Sequence, residues 1–175
     1  MRVGFLICGP SGVGKSSHVP DMLKNAGLLI ENIIDPDKLS GTHKEQSESA
    51  LNKVYESIES KQSFVYTATC GGMRIINDII KKMKENKFKT IIAIAYTKLG
   101  TALERIVKRD QPVPEDVVKD LHAFFKTKAE RFMKLDAEIY LYNNETDFNL
   151  LYSKTRKKIL CTPGDFYFDI SKYCR

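Results

Sequence analysis

The sequence predicts an α/β fold, a P-loop NTPase/kinase-like parallel sheet covered by helices on both faces. Three observations carry this expectation. Short apolar, partly β-branched runs alternate along the chain with longer stretches whose apolar residues recur at helical spacing, the pattern of strand–helix–strand units. The runs are nearly continuous rather than alternating, as strands buried on both faces are. Finally, Gly9-Pro10-Ser11-Gly12-Val13-Gly14-Lys15-Ser16 fills every required position of G-x-x-x-x-G-K-[ST] between a strand pattern and a helical one.

In chain order, Val3 to Cys8 reads as the first buried strand and Ser16 to Ala26 as a helix, with Pro20 held to its first turns. Leu28 to Ile34 is the next strand, closed by Asp35-Pro36-Asp37, where proline turns the chain. A helix over Thr42 to Ser60 carries Ala50, Leu51, Val54, Tyr55 and Ile58 at helical spacing. Phe64 to Thr69 is a strand with Gly71-Gly72 as its turn. Met73 to Lys87 is a helix with Ile75, Ile76, Ile79, Ile80 and Met83 on one face. Thr90 to Tyr96 gives the clearest buried strand. Helices follow over Leu99–Arg109 and Pro114–Met133, with Pro112 and Pro114 at the break, and Ala137 to Tyr142 is the last strand. Beyond it, Phe166 to Ile170 reads as an edge strand or a capping segment. Residues 1–175 are expected to form a single P-loop kinase-like domain, in which 146–175 receive no role.

Composition narrows the class. A chain of 175 residues with 42% hydrophobic and 29% charged residues is an ordinary globular domain, large enough for a core without staples. The net charge of +6 suits anionic ligands and permits nucleic acid without demanding it. Cys8, Cys70, Cys161 and Cys174 form no C-x-x-C pair, so free thiols in a reducing compartment are expected rather than zinc or disulfides. No apolar segment is long enough for a signal peptide or a membrane span. An intracellular, cytoplasmic protein with no membrane partner is the resulting expectation; oligomeric state is left open.

Chemistry enters through the glycine-rich loop. Its glycines allow successive backbone N–H groups to face phosphate oxygens, Lys15 reaches the β- and γ-phosphates, and the Ser16 hydroxyl ligates Mg²⁺. Gly9, Pro10, Ser11, Gly12, Val13, Gly14, Lys15, Ser16 and Ser17 are therefore the expected ATP site. A guanine-selective GTPase is disfavoured: the nearest base-reading motif is Thr97-Lys98-Leu99-Gly100, with glycine where an aspartate is needed. Asp35 and Asp37, at a strand exit beside the loop, stand where one carboxylate reaches Mg²⁺ and the other an acceptor hydroxyl; equally, D-P-D is a plain turn. Arg105 and Arg109 share a helix face at i and i+4, flanked by Glu104 and Asp110 and followed by the Gln111-Pro112-Val113-Pro114 turn. They read either as surface salt-bridge partners or as phosphate-facing arginines on a mobile segment. His18, His43 and His122 read as ordinary surface or helix positions.

Gly9 to Ser16, Asp35-Pro36-Asp37, Arg105 and Arg109 followed by Val113-Pro114-Glu115, and the late strand closing on Tyr142-Asn143 together resemble the zeta-toxin group of P-loop kinases, relatives of polynucleotide kinases. The resemblance runs from about Val3 to Asn144 and implies ATP-dependent phosphorylation of a hydroxyl, in the toxins that of a nucleotide-sugar. It implies that Lys15 and Ser16 hold phosphate and Mg²⁺, Asp37 is the base, and Arg105 and Arg109 meet the phosphates; Asp35, the other carboxylate of the turn, is then the one expected at the metal. One departure stands out. Where the family's strand ends with an acceptor-holding glutamate, this chain has Thr67 and Thr69. The acceptor, a nucleotide-sugar, a nucleoside or a nucleic-acid 5′ end, is thus left unidentified. The alternative is a degenerate nucleotide-binding protein without catalysis.

Overall fold

Seven strands form one sheet in the order β2-β3-β1-β4-β5-β6-β7 in the computed structural model, which describes residues 1–109 and 113–174. The strands are β1 (Val3–Cys8), β2 (Ile33–Ile34), β3 (Phe64–Ala68), β4 (Lys89–Tyr96), β5 (Glu138–Asn143), β6 (Asn149–Lys154) and β7 (Ile159–Cys161). The first five are parallel, and β6 and β7 continue the sheet antiparallel. The helices are α1 (Val19–Ala26), α2 (His43–Glu59), α3 (Met73–Glu85), α4 (Leu99–Val107) and α5 (Glu115–Lys128).

β1 lies between β3 and β4 and all six of its residues are buried, which explains its unbroken apolar sequence. Leu6 and Cys8 face one layer, where Phe64, Tyr66, Ile92 and Ile94 meet Val54 of α2, Ile79 of α3 and Phe125 of α5. Phe5 and Ile7 face the other, against Val19, Met22 and Leu23 of α1. Helices thus cover both faces. Because β1 to β5 run the same way, the loops after them, which carry Gly9, Asp35, Thr69, Thr97 and Asn144, all emerge at one edge, where ligands of parallel sheets bind.

Some elements differ from the sequence expectation. The strand over Leu28–Ile34 contracts to Ile33–Ile34; Leu28 and Ile30 pack on the α1 side while Leu29 is fully exposed, because the segment crosses from α1 to the sheet's edge. The helix over Pro114–Met133 ends at Lys128 and tightens into a 3-10 turn over Ala129–Lys134. α4 ends at Val107, so Arg109 lies in the turn beyond it. The tail supplies β6 and β7, and Phe166–Ile170 is a cap rather than a strand: Tyr167 is buried edge-on against Tyr96, and its hydroxyl donates to the Ala95 carbonyl at 3.1 Å. Asp110, Gln111, Pro112 and Arg175 lie outside the described residues.

The expectation of free thiols is overturned. Cys8 is bonded to Cys70 and Cys161 to Cys174. Sequence spacing hid the first pair because its 62-residue separation closes only when β1 and β3 align, Cys8 beside Ala68, bringing Cys70 to a Cα–Cα distance of 5.3 Å. The expectation of a reducing compartment loses its thiol support with that finding. No helix among the described residues is long and apolar enough to cross a membrane.

Candidate active site

The glycine-rich loop after β1 has a backbone that only glycine allows. Gly12 and Gly14 adopt φ of +85° and +83°, a region side chains rarely enter. Space forbids a side chain as well: a Cβ at Gly12 would lie 2.5 Å from the Ala102 carbonyl oxygen, and one at Gly14 2.3 Å from Asn144 Nδ2. After the loop, Ser16–His18 forms a 3-10 turn before α1 begins at Val19 with Pro20 in its first turn. Lys15 folds back over the loop, donating from Nζ to the carbonyls of Gly9 at 2.8 Å and Pro10 at 2.9 Å. Burial lowers its pKa to about 8; Asp37 and Asp35 oppose that shift and Arg109 adds to it.

A second layer fixes the loop from behind. Asn144, buried after β5, donates from Nδ2 to the Val13 carbonyl at 2.9 Å. Arg105 of α4 directs its guanidinium to backbone carbonyls, to Asn144 at 2.8 Å, Glu145 at 3.3 Å and Gly12 at 3.4 Å. Glu145 in turn accepts from Thr97 Oγ1 at 2.6 Å, the Lys98 N–H at 2.7 Å and Thr101 Oγ1 at 2.6 Å, which satisfies the start of α4. Partial burial pushes the Glu145 pKa up, but these hydrogen bonds outweigh it and hold the carboxylate at about 2. The stretch Thr97-Lys98 thus anchors a helix.

Asp35 and Asp37 are both a turn and part of the site. Asp35 is buried and accepts the Asp37 N–H through Oδ1 at 3.1 Å, capping the 3-10 turn Pro36–Lys38. That bond leaves Asp37 exposed, with its carboxylate 3.3 Å from Arg109 Nη1. Across the cavity, Thr67 is buried and its Oγ1 has no protein partner, whereas Thr69 is exposed.

One cavity of about 670 Å³ brings together Ser11, Lys15, Ser16, Asp35, Asp37, Thr67, Thr69 and Arg109. Arg105 is not on its wall; it holds the loop through carbonyls. Three residues on α2, His43, Gln46 and Glu48, line the same cavity and were missed in the sequence, where nothing but proximity in the fold marks them. Glu48 places a carboxylate on this wall, although none is near Thr67 in the chain. His122 is buried on α5 with Nε2 unpartnered, its pKa lowered by burial and then by the charge of Lys15.

Mg²⁺ keeps most of its water and takes only one or two protein oxygens beside phosphate. Ser16 and the buried Asp35 line one cavity, and a hydroxyl with a carboxylate fits such an ion. No cluster of three or more His, Cys, Asp or Glu residues among the described residues suggests any other metal site.

No protein-family model matches the sequence. No curated protein matches it either. Solved structures share the fold. A chain of the AvrRxo1-ORF1:-ORF2 complex crystallised with ATP superimposes with a TM-score of 0.66 at 16% identity, over 92% of this chain and 60% of the other. A structure from the PezAT toxin–antitoxin system of Streptococcus pneumoniae gives 0.63 at 17% identity, over 87% and 72%. A gluconokinase from Sinorhizobium meliloti 1021 gives 0.54 at 13% identity, over 82% and 84%. The chain spans three fifths of the matched chain of the AvrRxo1 complex. It has the P-loop kinase-like α/β fold of these proteins, as the zeta-toxin resemblance implies.

Proposed function

We propose that the protein is an ATP-dependent phosphotransferase that moves the γ-phosphoryl group of ATP to a hydroxyl. The observation that carries the proposal is the shared cavity: the phosphate-loop lysine, a strand-end carboxylate and an arginine face one space. The ATP in the AvrRxo1-ORF1:-ORF2 structure and the gluconokinase among the similar folds support ATP and phosphoryl transfer as the class.

Gly9 to Ser17 would hold the triphosphate through backbone N–H groups, with Lys15 leaving its carbonyl contacts for phosphate oxygens. Ser16 and Asp35 would hold Mg²⁺, which when bound neutralises charge on the phosphates. Asp37 would accept the proton of the acceptor hydroxyl as its oxygen approaches the γ-phosphorus. Arg109 would meet charge developing on the transferring group, which first requires it to leave Asp37. Arg105 serves the loop's shape. Placement inside the cell is proposed on the requirement for ATP alone.

A second reading, nucleotide binding without catalysis, is favoured by one observation: Thr67 offers a hydroxyl where the resembling family has a glutamate. Measuring ADP release from Mg·ATP with a panel of hydroxyl compounds separates the two. A kinase releases ADP faster when its acceptor is present. Tight ATP binding with a release rate that no acceptor changes would establish the second reading.

A further inference from the structure

The main cavity has two chemically distinct halves. Lys15, Ser16, Asp35, Asp37 and Arg109 form the phosphate end. Away from them, Leu51 of α2, Ile75 and Ile76 of α3, and Pro114, Val117 and Leu121 at the start of α5 form an apolar wall. Ile75 and Val117 are 46% and 42% exposed, so they face this space rather than the core. Water-facing aliphatic side chains gathered in a concave site mark a ligand surface. Charge points the same way. Among the described residues, no lysine or arginine lines the cavity except Lys15 and Arg109, which already face the phosphate end, and Glu48 adds a negative charge at the α2 wall. Against the apolar wall an anionic acceptor has no lysine or arginine to meet. An adjoining hollow of about 680 Å³ shares Asp37, His43, Gln46, Arg109 and Val113 with this cavity, adds Lys38 and Lys108, and lacks Ile75 and Val117; an anionic acceptor would go there.

We infer that the acceptor is an uncharged alcohol with an aromatic or aliphatic body, seated against Ile75 and Val117 with its hydroxyl toward Asp37. This rests on the kinase reading and names its substrate class. Burial of the apolar body supplies affinity, roughly 25 cal/mol for each Å² removed from water, and needs no cation. In the reaction the alcohol oxygen forms a bond to the γ-phosphorus, the bond from that phosphorus to the β,γ-bridging oxygen breaks, and the hydroxyl proton passes to Asp37. The products are a phosphate monoester, ADP and, once Asp37 releases it, one proton.

Two measurements on the full-length protein test this. The first follows Ile75 and Val117 methyl resonances during titration with 3-phenylpropan-1-ol in the presence of Mg²⁺ and a non-hydrolysable ATP analogue, which reads binding independently of turnover. The second measures ADP release and the phosphorylated product with that alcohol, a nucleoside, a nucleotide-sugar and an oligonucleotide. Expected are shifts at both methyls, ADP release stimulated by the alcohol, and a KM for it raised about tenfold or more by Ile75→Asp or Val117→Asp, with kcat changed less. Both positions are substantially exposed, and melting temperatures establish that the variants fold. Absence of methyl shifts overturns the inference. So does stimulation by the nucleotide-sugar or oligonucleotide alone, lost in a Lys38→Ala/Lys108→Ala variant, although the kinase reading then stands. If the methyls shift but no compound in the panel is phosphorylated, the alcohol is a ligand and not an acceptor, and both the inference and the kinase reading fall.

Discussion

Arg109 Nη1 lies 3.3 Å from the Asp37 carboxylate, which pairs the side chain proposed to take the acceptor's proton with the one proposed to meet the phosphates. The two are 72 residues apart and come together only because the turns after β2 and α4 open on the same sheet edge. Both side chains are more than one-third exposed, so their attraction contributes under about 1 kcal/mol to stability. On the proposed kinase reading its consequence is functional: each partner would have to be released for its part in catalysis.

Asp37→Asn is expected to lower turnover about a hundredfold or more while leaving ATP affinity nearly unchanged, because the amide keeps the shape and loses the proton acceptor. The melting temperature should move little. Steady-state kinetics alongside ATP titration check this, and wild-type turnover in the variant would reduce the aspartate to a turn residue.

Arg109→Ala should lower the rate more than it weakens ATP binding, since charge on the transferring group peaks in the transition state. Arg109→Lys should recover only part of the loss, an ammonium lacking the planar two-point grip of a guanidinium. A variant that loses affinity and rate in equal measure would place Arg109 on the ground-state nucleotide instead.

Lys15 gives a pH signature. Its pKa of about 8 without ligand must rise when phosphate binds, so nucleotide binding takes up a proton. ATP affinity should therefore fall as pH rises, by about tenfold between pH 7 and pH 9. The stability effect has the opposite sign. A lysine depressed from 10.5 to about 8 leaves the unfolded chain with more protons in that window, so the penalty for burying its charge diminishes as pH climbs through it. Calorimetry in two buffers of different ionisation enthalpy reads the proton uptake directly; none at pH 8.5 would contradict the assignment.

Arg105→Ala should behave differently from Arg109→Ala. Its hydrogen bonds end on the carbonyls of Gly12, Asn144 and Glu145, and losing charge-assisted bonds of this kind costs about 1.5–3 kcal/mol. The expected result is a lowered melting temperature together with weaker ATP binding, as the loop loses its brace. Unchanged stability with a reduced rate would mean that the guanidinium meets phosphate instead of backbone.

The sequence made the phosphate loop legible because its requirement is local: glycine at Gly12 and Gly14 answers to φ and to space at those very residues. The Asp35-Pro36-Asp37 turn was readable for the same reason, and Asp35 caps that turn while lining the cavity. Relationships across the fold were not readable. Asn144 and Glu145 sit in an ordinary polar loop, and nothing in their type says that one holds Val13 and the other the start of α4. The Cys8–Cys70 bond depends on strand register. The strand Asn149–Lys154 escaped notice because polar residues occupy both of its ends and only its middle is buried. Arg105 and Arg109 looked alike at i and i+4; the end of α4 at Val107 sends one to the backbone and the other to Asp37.

The central claim is phosphoryl transfer by a site assembled from Lys15, Asp37 and Arg109. It is tested most directly by incubating the wild-type protein and Asp37→Asn with Mg²⁺, ATP radiolabelled at the γ-phosphate and the panel of acceptors, then following the label. The account predicts that label passes from ATP to one class of acceptor with the wild type, and about a hundredfold or more slowly with the variant. Label that stays on ATP, or appears only as inorganic phosphate at equal rates in both proteins, would contradict it.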